Sequence, residues 1–251
     1  MRCPAHLIRA GLLVVLLLTS TVMAQSGVNQ SSATRVRFSK AFIVDDRLAA
    51  LRREPDIQSL IIHRLRLARP VYIIEPKQLR GNGVKFYRIA VTRRTRGWIH
   101  EAAIAVPGRA GDDERIFKLI ESANDGLDRI TLCKLFIEQF NRSQFTPRVL
   151  LRMAEEAEHA AVALSQRARR RLDDLNAANA NASSRDYYLN DSGLDRYNRL
   201  RVVFNFNEAT AEYVYDGRAY REILRRFPAS EEAKVASERL ELMEKKLARR
   251  H

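Results

Sequence analysis

The chain has 251 residues, 46% of them hydrophobic and 29% charged, which suits one or two domains with a buried core and excludes wholesale disorder. Two cysteines exclude a disulfide-stapled scaffold, and no Cys/His cluster has zinc-site spacing. Lysine and arginine number 44 against 30 acids, a formal +14 that points to anionic surroundings or partners without naming one.

Arg2, His6 and Arg9 form a short cationic start, followed by an uncharged apolar run from Ala10 to Met23. Val22 and Ala24 then place small groups before Gln25, the three-part layout of a secretory signal peptide spanning 1–24. The run is shorter than the roughly 20 residues that cross a bilayer, so no membrane span is expected after cleavage. Export to the periplasm, the cell envelope or the exterior is the expected localisation. Cleavage removes Cys3 and leaves Cys133 in LCKLFIEQF, where helical spacing reads it as a buried small hydrophobe. Residues 25–34, polar and small, read as a disordered lead-in.

From residue 35 to 106 short apolar runs alternate with turn formers. Ala41–Val44, Ile61–Ile62, Val71–Ile74, Phe86–Val91 and Gly97–Ile99 are strand-like. Glu54-Pro55-Asp56, Arg69-Pro70 and Arg80-Gly81-Asn82-Gly83 break them. The pattern predicts a small barrel or sandwich whose thin core draws on Tyr72, Phe86, Tyr87 and Trp98.

Three stretches resemble the bacterial SH3-like (SH3b-type) domains of cell-envelope proteins. They are Asp46–Arg52 with Pro55, Ile61–Ile74, and Phe86–Ile99 with its closing Gly97-Trp98-Ile99. The resemblance implies an SH3-like β-barrel with Tyr72, Tyr87 and Trp98 in its core. Two positions depart from the family pattern: an alanine replaces the Asn of the first motif, and Arg69 stands where a turn Gly is usual.

Pro107 to Gly111 marks a boundary, after which the period becomes helical. Ile116, Leu119, Ile120 and Ala123 mark one helix, and 127–140 a second. Thr146-Pro147 opens a long third, striped by Leu150, Ala154, Ala157, Ala161, Leu164, Ala168, Leu172 and Leu175. A loop is expected around 176–193, where NAANANASS is of low complexity. Beyond it, Phe136–Gln144 and Ile223–Glu231 read as two copies of one pattern: an aromatic helix end, a short step, a Ser, then an Ala-lined helix. The 227–240 stretch resembles the second half of a tetratricopeptide-type repeat. The fold class is therefore α+β, β then α: an SH3-like barrel at 35–106, then an all-helical bundle or short tetratricopeptide-like array at 112–250.

Charge divides unevenly between these halves. Residues 35–105 hold 16 basic residues and 6 acids, a net +10, whereas 106–251 hold 26 and 24. Arg64, Arg66 and Arg69 on one strand pair, and Arg93, Arg94 and Arg96 on the hairpin before Trp98, form the candidate basic patch. A patch of that kind attracts anions over roughly 8–10 Å in moderate salt.

No nucleophile elbow, HExxH, phosphate loop or dinucleotide fingerprint occurs, so neither catalytic residues nor a cofactor or metal is expected. Glu156 and His159 have the spacing of a carboxylate-bridged metal helix, but no second such pair accompanies them. The sequence thus reads as an exported, non-catalytic binding or scaffold protein. Its barrel would contact a cell-wall or other envelope polyanion, and its helical half would dock a protein partner. Export argues against nucleic acid as the anion. The alternatives are an accessory or targeting region of a cell-wall hydrolase, or a self-associating structural envelope protein.

Overall fold

The computed structural model describes residues 39–74, 79–81, 83–177 and 183–248. The predicted signal peptide and lead-in lie outside them. A sheet-rich N-terminal part is followed by a mainly helical part.

Among the described residues the first part carries eight strands: β1 (Ser39–Ile43), β2 (Ala50–Arg52), β3 (Ile61–Arg64), β4 (Pro70–Ile73), β5 (Leu79–Gly81), β6 (Val84–Ala90), β7 (Arg96–His100) and β8 (Ile104–Ala105). All pairings are antiparallel, in the order β3-β2-β7-β6-β4-β1-β8, with β5 beside β6. Short 3-10 turns at Asp46–Leu48 and Glu101–Ala103 cross between strands. Side chains alternate along each strand, so one face gathers Ala41, Ile43, Leu51, Val71, Ile73, Ile89, Ile99 and Ile104 into a core of aliphatic residues.

That alternation corrects the expected aromatic core. Tyr72 stands between the buried Val71 and Ile73 and is 44% exposed. Trp98 stands between the buried Gly97 and Ile99 and is only half-buried. Tyr87 borders the aliphatic core without being enclosed by it. Of the four aromatics, Phe86 alone is fully buried, against the edge of the His100 ring. Size suggested burial, but strand parity turns Tyr72 and Trp98 away from the aliphatic core. Tyr87 has the parity of Ile89 and packs against that core, whereas Phe86 is buried on the opposite face.

The turn before β4 also differs from expectation by one position. The left-handed residue there is Ala68 (φ 59), not Arg69. An alanine thus occupies a conformation that costs an L-residue roughly 1–2 kcal/mol.

The second part comprises α1 (Asp112–Ser122), α2 (Gly126–Gln139), α3 (Thr146–Ala177), α4 (Ser184–Leu189), α5 (Gly193–Arg199), β9 (Phe204–Asn207), β10 (Glu212–Tyr215), α6 (Arg218–Arg226) and α7 (Glu231–Ala248). Asp125 caps α2 by accepting from the Leu127 and Asp128 N–H groups. On α3 the predicted stripe is buried from Leu150 through Ala154, Ala157, Ala161 and Leu164 to Ala168.

Two expectations for this half are corrected. It is not all-helical, because β9 and β10 form an antiparallel hairpin on α3. There the Tyr213 N–H donates to Ser165 Oγ at 2.8 Å. Part of the expected 176–193 loop is helix α4. Its Tyr188 is buried and stacks on Phe206 at 4.6 Å, with Tyr213 at its edge. Burial of this aromatic cluster stabilises a segment whose flanking composition looked like linker.

The predicted correspondence between Phe140 and Phe227 is visible in the backbone. Each caps its helix with an extended φ, −122° and −133°, and donates its N–H four residues back. Each then accepts from a Ser three residues on, Ser143 at 2.9 Å and Ser230 at 3.0 Å. The α2–α3 and α6–α7 pairs are therefore two helical hairpins with one kind of corner, although α3 runs well beyond α7.

The two parts are joined by a charged latch. Asp112, buried at the start of α1, accepts from the Val106 N–H at 2.7 Å, from Arg109 Nε at 2.7 Å and from Arg115 Nη2 at 3.0 Å. Arg109 also reaches the Tyr87 hydroxyl at 2.9 Å, and Arg115 donates to the carbonyls of Ala102 and Ile104. Phe42, Val44 and Ala105, on the sheet face opposite the aliphatic core, belong to the core of the helical half.

Candidate functional site

The register brings cations and aromatics together on the sheet face opposite the aliphatic core. One cross-strand row runs Lys40, Tyr72, Ala90, Arg96 over β1, β4, β6 and β7. The next row in register runs Arg88, Trp98, Arg52 over β6, β7 and β2. Directly opposed residues have Cβ atoms roughly 4.5–5.5 Å apart, so Trp98 is flanked by an arginine on each side. Lys40, Tyr72, Arg88 and Arg96 are exposed, while Arg52 and Trp98 are half-buried. Arg52 is further held by donating Nη1 to the Ser59 carbonyl at 2.7 Å.

The six predicted patch residues do not form one patch. Arg93, Arg94 and Arg96 share the β6–β7 turn, where the Thr92 hydroxyl accepts from the N–H groups of Arg94 and Thr95. Arg96 belongs to the cation–aromatic face, and Arg93 and Arg94 extend it at the turn. Arg69 is half-buried at the start of β4, with Arg66 three residues before it in the same turn. Arg64 lies on β3 opposite Ala50. From Arg64 to Arg96 the register offset is about 13 Å along the strands and about 10 Å across them, beyond one screening length in ordinary salt.

Sequence reasoning missed Lys40, Arg52 and Arg88. Arg88 has the parity of Trp98 across a recognisable hairpin, so that signal was present; Lys40 and Arg52 depend on strand order.

In the helical half a groove of about 540 Å³ lies between α3, β10 and α7. Much of its charge is internally paired. Arg152 binds Glu121 and Glu155, and Tyr220 donates its hydroxyl to Glu158. Burial, aided by that carboxylate, pushes the Tyr220 hydroxyl well above its ordinary pKa. Glu156 and His159 diverge on α3: Glu156 pairs with Arg129 of α2, while His159 is exposed. Cys133 is fully buried, and burial raises its thiol far above the usual range, which keeps it protonated and unreactive. No helix among the described residues is long and apolar enough to cross a membrane.

Comparison of the chain with protein families, with curated proteins and with solved structures finds no match.

Proposed function

We propose that the chain is an exported, non-catalytic binding protein whose SH3-like barrel, β1–β8, holds an anionic polymer of the cell envelope. The observation that carries the proposal is the pairing of Trp98 with Arg52 and Arg88 beside the Lys40–Tyr72–Arg96 row. Aromatic faces give such a surface stacking area, and the flanking cations supply an attraction that works before contact. The barrel reading is supported by the single aliphatic core to which β1, β2, β4, β6, β7 and β8 all contribute. It is supported too by the placement of Gly97-Trp98-Ile99 within β7. The helical half is the partner-docking arm of this proposal, with the α2–α3 and α6–α7 hairpins as its repeated unit.

The test is co-sedimentation of the chain beginning at Gln25 with insoluble cell-wall material over a range of salt. Binding that weakens as the screening length shrinks toward roughly 3 Å, near 1 M salt, supports the proposal. Failure to sediment at low salt would refute it.

A further inference from the structure

We infer that the tip formed by the β2–β3 loop and strand β3 is a membrane-contacting surface for anionic lipid. Four aliphatic side chains close together in sequence are exposed there: Ile57 (48%), Leu60 (62%), Ile61 (37%) and Ile62 (46%). Scattered exposed aliphatics need no explanation, but four within the stretch 57–62, two in the loop and two at the start of β3, do.

The loop presents these groups rigidly. The Ser59 N–H donates to the Asp56 carbonyl at 3.1 Å, and the Arg53 N–H to the Leu60 carbonyl at 3.0 Å. The Glu54 N–H donates to Ser59 Oγ at 3.0 Å, and the Gln58 N–H to Asp56 Oδ1 at 2.8 Å. With its backbone tied down, the loop holds its aliphatic side chains outward.

Charge selects the occupant. Exposed Arg53 at the loop and exposed His63 and Arg64 along β3 lie beside these groups, against Glu54 and Asp56, and the sheet-rich part as a whole carries +10. A second copy brought to this tip would meet the same positive field. β3 is an edge strand, but the register shift opposite Leu51 and Arg52 disturbs its pairing and so disfavours addition of another strand. A bilayer of anionic lipid satisfies both features: head groups meet the arginines, and the aliphatic side chains enter the boundary with the acyl chains. The polymer face uses β1, β2, β4, β6 and β7 and meets this loop only where Arg52 donates to the Ser59 carbonyl, so the two readings are separated by substituting residues that belong to one surface alone, Leu60 and Ile62 here and Arg96 there.

The experiment is flotation of the chain beginning at Gln25 with vesicles of phosphatidylglycerol and phosphatidylethanolamine, compared with phosphatidylcholine alone. The chain should float with the anionic vesicles, and Leu60→Glu or Ile62→Glu should each lower the bound fraction by at least about tenfold. Arg53→Glu combined with Arg64→Glu should lower it as well, while Val162→Glu on α3, also at an exposed site, should leave it unchanged. Unaltered circular dichroism and Trp98 emission establish that the variants are folded. Arg96→Glu should weaken wall binding while leaving flotation intact. The inference is overturned if Leu60→Glu and Ile62→Glu float like the parent chain. It is equally overturned if no vesicle binds, or if light scattering shows concentration-dependent association, abolished by Ile62→Glu, in place of vesicle binding.

Discussion

Replacing Asp112 by Asn should uncouple the two parts of the molecule. The carboxylate accepts from the Val106 N–H, from Arg109 Nε and from Arg115 Nη2, at 2.7 to 3.0 Å. Its side chain is 6% exposed, while those of Arg109 and Arg115 are 32% and 30% exposed. Removing one partner of a fully buried ion pair costs about 3–5 kcal/mol. The two arginines retain access to water, and the amide keeps one acceptor oxygen, so the cost falls below that range, to about 2–3 kcal/mol. That is a large fraction of a typical stability of about 5–15 kcal/mol. The assay is urea unfolding followed by two probes. Trp98 is the sole tryptophan and lies on β7, so its emission reports the sheet. Far-ultraviolet circular dichroism reports mainly the helices. The parent chain should show coincident transitions, and Asp112→Asn should move the Trp98 transition to lower urea than the helical one. Coincident curves with a shift below about 0.5 kcal/mol would refute the latch, since surface substitutions commonly stay within that range.

Three further outcomes follow from the geometry. Gly97→Ala should cost about 1–3 kcal/mol, because a Cβ there would meet the Arg52 carbonyl oxygen at 2.6 Å and Leu51 Cγ at 2.9 Å; thermal denaturation measures it, and an unchanged Tm contradicts it. The Asp45 carboxyl is held below its usual range chiefly by its hydrogen bond from the Arg47 guanidinium. A depressed pKa contributes stability that is present above the unfolded value, about 3.9, and lost as pH falls through the folded one. Asp45→Asn should therefore flatten the loss of stability in acid, as read by denaturation at a series of pH values; an unchanged slope contradicts this. Finally, Cys133 should resist thiol reagents in the folded chain and react only on unfolding, which a labelling time course reads directly.

How far the sequence disclosed this molecule depends on the range of the interaction concerned. The α3 stripe was legible because Leu150 through Ala168 sit on one face by local periodicity alone. The Phe140 and Phe227 corners were legible because a helix end is written in its own few residues. The cores of the two parts were less so. Tyr72 and Trp98 were placed inside by their size, whereas the parity set by Val71, Ile73, Gly97 and Ile99 turns them outward. The β9–β10 hairpin carried a period-two signal in Phe204, Phe206, Tyr213 and Tyr215, submerged by the helical pattern on either side. The basic patch failed for a different reason: Arg64 and Arg96 are brought near or kept apart only by strand order and register. The same long-range pairing put Arg52 and Arg88 on either side of Trp98, which no local window contains.

The central claim is that the cation–aromatic face binds an anionic envelope polymer. Its most direct measurement is the affinity of purified wall material for the parent chain and for a Lys40→Glu/Arg96→Glu variant across a salt series. The account predicts affinity that falls with salt for the parent, and a loss of about tenfold or more at low salt for the variant. Equal affinities for the two proteins at every salt concentration would contradict it.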